Sequence, residues 1–236
     1  MNIAYLLRNT AISGRVRSVL AQADALIARG HRVRIVSEDP PVTWRSSDAE
    51  WIEPSAFSAS DDDVVIDDTA PPVRIVDVGF YRAAVPRDND PLRVLLVGST
   101  DIDDGYGAAA HARWFHQRFD FIRVSPFAPS QSEPLDAVQE FHVALSTPEM
   151  IRVMHSCDIA IAPRFGLAVA EAMAAGLAVV SIDGETNAVD LGERLIEVSS
   201  NEELRAELRV RGREMAEEWR SEGVGAELER RLKALR

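Results

Sequence analysis

The sequence predicts an α/β protein made of two Rossmann-like halves, the N-terminal one reduced. Three observations carry that expectation. An apolar run at 2–7, a helical pattern at 13–30 and a second apolar run at 31–37 form a β-α-β unit. The same order returns at Leu92, where "LRVLLVGS" leads through the glycine-bearing "TDIDDGYGAAAHARWFHQRF" into "DFIRVSPF". A third stretch, 147–183, alternates helix, strand, helix and strand. Such units build parallel sheets that bind ligands at the C-terminal ends of their strands.

Each element has its own signal. "NIAYLL" is apolar and meets Asn9 and Thr10 as turn residues. In "SGRVRSVLAQADALIARG" the residues Val16, Val19, Leu20, Ala23, Leu26 and Ile27 share one helical face. Ser13 is placed to cap that helix and Gly30 to end it. "HRVRIVS" reads as the next strand. Residues 40–63 read as loop, followed by the short strands "VVID" and "VRIVDVGFY", and "PRDNDP" as a linker. In the second half, "TPEMIRVMHSC" is a helix with Thr147 at its cap, "DIAIAP" a buried strand, "GLAVAEAMAAG" a helix and "LAVVSID" a strand. Two terminal helices follow, rich in Glu-to-Arg spacings that suit a solvated face. The expected division is a reduced domain over 1–85 and a fuller one over 86–236, with the last helix returning to the first domain.

Composition narrows the function. The chain has 236 residues, 46% hydrophobic and 27% charged, which is ordinary for a globular protein with a real core. No apolar run is long enough to span a membrane, and "MNIAYLLRNT" reads as a strand because it lacks a basic start and reaches Arg8 early. The single cysteine, Cys157, excludes an internal disulfide and suits the cytoplasm, the expected location. A formal charge of −12 argues against nucleic acid or anionic lipid as partner.

The chemistry concentrates in "APRFGLAVAEAMAAGLAVVSID", from Ala162 to Asp183. A loop that enters a helix N-terminus presents free N–H groups and a positive dipole end. Gly166 lets that backbone come close to a diphosphate. Glu171, about one turn inside the helix, can accept from two vicinal ribose hydroxyls. Taken alone, Glu171 reads first as a polar residue on an Ala-rich packing helix, and only the surrounding match favours the ribose.

The residues Phe165, Gly166, Leu167, Glu171, Ala172, Met173, Ala174, Gly176, Val179 and Val180 resemble the donor-site signature of the retaining GT-B glycosyltransferases called group 1 or family 4. The likeness extends to "LRVLLVGS", to "EFHVALSTPEMIRVMHSCDIAIAP", to the N-terminal forty residues or so, and to "VRIVDVGFYRAAVP" as interdomain link. It implies a nucleotide-sugar donor in an interdomain cleft, bound by Gly14, Arg15, Gly98, Arg164, Phe165, Gly166, Leu167 and Glu171, with Glu171 on the ribose. The nucleotide-sugar is then the substrate; no cofactor or metal is implied, and the acceptor cannot be read.

Three positions depart from the family pattern. An acid that contacts the donor sugar, eight residues before Glu171, is Pro163 here. Two cations that clamp the diphosphate are replaced by Ser99, after Gly98, and Asp104, before Gly105. Losing one such contact typically costs about 2.7–4 kcal/mol in barrier. Arg15 and Arg164 are alternative phosphate ligands or ordinary surface arginines. The N-terminal Gly-Gly loop of the family reads Gly14-Arg15. Two readings stay open: a glycosyltransferase of possibly weak activity, or a non-catalytic relative that senses nucleotide-sugars or supports a protein partner. Other candidates are weaker. The Asp-x-Asp within Asp101–Asp104 suits a metal but reads as a solvated loop, and His111 and His116 are poorly spaced as ligands. His155, Ser156 and Cys157 lack a third member for a triad. His31 reads as favouring a helix dipole, and His142 as packed in a strand.

Overall fold

The computed structural model describes residues 1–67, 81, 88–96, 119–125, 138, 140–162, 166–181 and 188–234. In chain order its elements are β1 (Asn2–Leu6), α1 (Gly14–Ile27), β2 (Arg32–Val36), β3 (Glu50–Ile52), β4 (Val64–Ile66), β5 (Leu92–Leu96), β6 (Phe119–Ser125), β7 (Glu140–Val143), α2 (Thr147–His155), β8 (Ile159–Ala162), α3 (Leu167–Ala174), β9 (Ala178–Ser181), α4 (Ala188–Ser200), α5 (Glu202–Glu218) and α6 (Ser221–Lys233). Two compact units result: Met1–Asp77 with Glu218–Arg236, and Val78–Glu217.

The first unit is a parallel sheet in the order β3-β2-β1-β4. α1 starts where Ser13 Oγ accepts from Val16 N at 3.2 Å, and Gly30, at φ +81°, ends the turn that follows it. Its apolar face joins Ile3, Tyr5, Val33 and Ile35 in the core. Leu228 and Leu232 of α6 belong to the same core, and a Cβ on Gly225 would lie only 3.3 Å from Ala25 of α1. The stretch 40–63, expected to be all loop, contributes the edge strand β3, whose Trp51 pairs with Ile35 of β2 and packs on the core. The reason is tertiary: a three-residue strand has no periodicity to read, and its pairing comes from β2.

The second unit has the order β7-β6-β5-β8-β9, all parallel. Its core joins Val94, Leu96, Phe121, Ile159, Ile161, Ala178 and Val180 to Leu195 and Val198 of α4, a helix the sequence reading passed over. α2 begins one residue earlier than expected. Ser146, not Thr147, is its cap, and Ser146 N and Oγ both donate to Glu149 Oε2 at 2.8 and 2.5 Å. The linker residues Asp88 and Asn89 are tied down. Asp88 accepts from Arg205 at 2.8 Å and Arg209 at 2.6 Å, and Asn89 N and Nδ2 donate to Asp158 at 3.2 and 2.9 Å. Asp158 also accepts from Arg93 N at 2.8 Å.

Two predictions follow from these contacts. Asp158 is 1% exposed and takes three N–H donors, so Asp158→Ala leaves buried donors unmet. It is expected to cost about 3 kcal/mol or more, read from the denaturant midpoint of the second unit. In the first unit, Glu229 meets Arg29 at 2.5 Å, Lys233, and His31 at 3.4 Å. Hydrogen bonds from Lys233 and Arg29 hold the Glu229 carboxyl down at about 2, so its stabilisation is complete above 4.5 and lost as pH falls from there towards 2. Burial and the N-terminal charge push His31 below 6.5, so folding opposes its protonation and stability also declines as pH drops below 6.5. His31 therefore does not act as the dipole-favouring cation expected. Glu229→Gln should flatten the limb of the pH–stability curve below 4.5 and leave the higher limb in place.

Candidate functional site

In the second unit the chain runs outward from β5 through β6 to β7, then crosses to β8 and β9 on the other side. The connections after β5 and β8 therefore leave in opposite directions. In parallel α/β sheets this switch point is where the crevice for a ligand opens. β8 leads into α3 through Gly166, which has φ −139° and ψ −173°, an extended conformation open to any residue. Its carbonyl accepts from Val169 N at 3.1 Å and Ala170 N at 3.2 Å, and no side chain caps the helix. A Cβ added to Gly166 would meet nothing within 4 Å among the described residues. Among the described residues nothing calls for glycine there, and a glycine suits close backbone approach to an anion.

The other end of α3 is fixed tightly. Gly176, at φ +82°, closes it with Gly176 N to Met173 O at 3.0 Å and Leu177 N to Ala172 O at 3.1 Å. A Cβ at Gly176 would stand 2.5 Å from Arg213 Nη2 of α5, the movable end of a long side chain, so it is the positive φ that calls for glycine. Gly212 of α5 lies over Met173, where a Cβ would come 3.3 Å from Cγ. α5 therefore clamps α3 from behind, and α3's N-terminus is held in place at the switch point.

Glu171 sits in the fifth position of α3 and is only 4% exposed. Its Oε1 accepts from the hydroxyl of Tyr81 at 2.8 Å. Tyr81 is itself buried, and His155 Nε2, at the end of α2, donates to the Tyr81 carbonyl at 2.9 Å. Tyr81 was missed in the sequence, where it ends the apolar run "VRIVDVGFY" and reads as interdomain link. Only the partnership with Glu171, ninety residues on, marks it out.

Of the residues expected at the site, Gly166, Leu167 and Glu171 come together on one loop and helix. Gly14 and Arg15 open α1 of the first unit, after β1. Gly98, Arg164 and Phe165 lie outside the described residues, as do Ser99, Asp104, Pro163, the Asp-x-Asp and His111 and His116. Among the described residues no three His, Cys, Asp or Glu side chains form a set that would hold a metal. No described helix is long and apolar enough to cross a membrane. His142 is not packed as expected; its ring is 31% exposed on the edge strand β7 and lies 3.2 Å from Glu140.

The model of the family described as glycosyl transferases group 1 matches residues 83–210, just over half of the chain. The chain belongs to that family. Solved GT-B glycosyltransferases share its fold. It superposes on Anabaena Alr3699/HepE, solved with UDP and glucose, with a TM-score of 0.72 at 10% identity, covering 99% of this chain and 100% of that one. For WaaG, a glycosyltransferase involved in lipopolysaccharide biosynthesis, the TM-score is 0.68 at 13% identity over 96% and 98%. An α-glucosyltransferase in complex with UDP and a 13-mer DNA gives 0.70 at 13% identity over 99% of each chain. No curated protein matches the chain in sequence.

Within this family site Cys157 has no reactive role. Burial pushes its thiol up to about 12, which leaves almost no thiolate near neutrality. Cys157 is accordingly expected to resist alkylation at pH ~8 in the folded protein and to react fully once the second unit is unfolded, as counted by mass spectrometry.

Proposed function

We propose that this glycosyltransferase takes a sugar from a nucleotide-sugar donor, transfers it with retention, and does so weakly. The observation that carries the reading is the placement of Gly166 and Glu171: one opens α3 at the switch point, the other projects a carboxylate from the same helix. The family match over 83–210 supports it. Backbone N–H groups at Gly166–Leu167, with Phe165, face the diphosphate. Glu171 accepts from the ribose hydroxyls. Gly98 and Arg164 are the further site residues in this unit, and Gly14 and Arg15, which open α1, are taken as phosphate-facing by the family resemblance alone. A uridine diphosphate donor is favoured by analogy, because HepE and the α-glucosyltransferase were solved with UDP.

Weak turnover follows from the charge ledger of the leaving group. A departing nucleoside diphosphate accumulates negative charge, and electrostatic stabilisation of it is the main task. Ser99 and Asp104 stand where the family places cations, and Pro163 where it places an acid. Asp104 adds a like charge, which opposes the step. What remains is the amide cluster at α3 and the arginines Arg15 and Arg164. The second reading, a nucleotide-sugar sensor or a support for a protein partner, is favoured by the same three substitutions and by the burial of Glu171.

Calorimetric titration with UDP, GDP, ADP and their glucose conjugates tests the reading. Binding of at least one diphosphate is expected, weakened about 10-fold by Glu171→Gln, which turns an acceptor into a donor facing the ribose. Gly166→Ala should also weaken binding yet leave the melting temperature unchanged, since its Cβ meets nothing among the described residues. Unaltered affinity in both variants removes the site. Binding without slow hydrolysis or transfer selects the sensor.

A further inference from the structure

Glu171 is covered before any ligand arrives. The residue is 4% exposed, Tyr81 is 3% exposed, and the Tyr81 hydroxyl donates to Oε1 at 2.8 Å. Oε2 is buried as well. A ribose reaches a carboxylate by donating its own hydroxyls to those same oxygens. Tyr81 therefore presents, from within the chain, the chemical group that a ribose would bring.

We infer that Tyr81 is an internal competitor for the ribose position: its hydroxyl holds Glu171 until a ribonucleotide displaces it, and so it sets how strongly the site prefers ribose. The inference rests on the reading of Glu171 as the ribose acceptor. Displacement exchanges one O–H donor for another on Oε1. The anchor that keeps Tyr81 in place is His155, whose Nε2 donates to its carbonyl at 2.9 Å. His155 stands on the exposed side of α2's last turn, and so the backbone of Tyr81 can be loosened without disturbing the core.

The expected signature is opposite in sign to that of a structural tyrosine. Tyr81→Phe keeps the ring and its packing and removes only the competing donor. Affinity for a ribonucleoside diphosphate should rise, by roughly 2- to 12-fold for one hydrogen bond, while affinity for the 2′-deoxy form rises less. The ratio of the two affinities therefore increases. A tyrosine that merely props Glu171 in place would give a lower affinity and a lower ratio.

The measurement is titration of the full chain with whichever of UDP, GDP and ADP binds tightest, and with its 2′-deoxy counterpart. Parent, Tyr81→Phe, His155→Ala and Glu171→Gln are compared, with inorganic pyrophosphate as a control for the phosphate part. A higher ribose-to-deoxyribose ratio in Tyr81→Phe, a smaller rise in His155→Ala and unchanged pyrophosphate affinity support the inference. A ratio that is lowered or unchanged in Tyr81→Phe overturns it, provided Glu171→Gln lowers the ratio. If Glu171→Gln leaves the ratio as in the parent, the ribose reading of Glu171 fails, and the inference fails with it. Should Tyr81→Phe not fold, the ratio in His155→Ala decides: a rise supports the competition and no rise overturns it.

Discussion

In each parallel sheet one aspartate that immediately precedes a strand ties that strand to the start of its neighbour. In the second unit Asp158 precedes β8; its carboxylate accepts from Arg93 N at 2.8 Å, and its own N–H donates to Arg93 O at 2.9 Å. In the first unit Asp63 precedes β4; its carboxylate accepts from Asn2 N at 2.9 Å, and its N–H donates to Asn2 O at 2.8 Å. β5 and β8 are the central pair from which the two arms of the second sheet diverge, and β1 and β4 are the pair at one end of the first. The clamp sets register there, pairing Val94 with Ile159 and Ile3 with Val64. A slip of one residue would send every side chain of the pair to the opposite face of the sheet. The rest of each sheet inherits its alignment from this point.

The two clamps differ in depth. Asp63 is exposed, whereas Asp158 is buried and has recruited Asn89, with Arg209 at 3.9 Å. Arg209 and Arg205 in turn hold Asp88. A carboxylate taken from water needs such donors, because an unmet buried charge is costly. The result is that the strand starts of the second unit, the preceding linker and α5 form one polar cluster. α5 also presses Gly212 and Arg213 against α3. The rear of the unit is thus rigid through polar contacts, and the helix that carries Gly166 and Glu171 stands on that base. Precise placement of a binding group needs this kind of support.

Much of this was legible in the sequence. The β-α-β order gave itself away through period and length: α1's apolar face over 16–27 is the buried one, and the strands from 92 and 159 are short apolar runs. The start and end of α3 were legible because its glycines and its Glu are local features. Elements held only by distant partners were not. β3 is three residues long and exists because β2 pairs with it. Tyr81 lies ninety residues from Glu171, and no spacing rule connects a link segment to a helix. The paired aspartates were visible as "DVVI" and "DIAI", two similar strings, but their meaning depends on which strand each one faces.

The physical division between frame and chemistry follows from where each kind of group resides. The amide donors at the start of α3 are consequences of how the backbone folds, and backbone geometry survives side-chain change. The groups that act on charge in a transfer reaction are side chains on loops, where a single substitution removes the function without disturbing a core. Ser99, Asp104 and Pro163 are substitutions of that second kind. A chain under little demand for turnover would lose them first and keep the sheet, the helix start and the ribose acceptor. In that condition a tyrosine hydroxyl on Glu171 carries a benefit of its own: it satisfies a buried carboxylate that would otherwise cost stability whenever nucleotide is scarce. Folding stability and nucleotide affinity then draw on the same oxygen, Oε1, and strengthening one weakens the other.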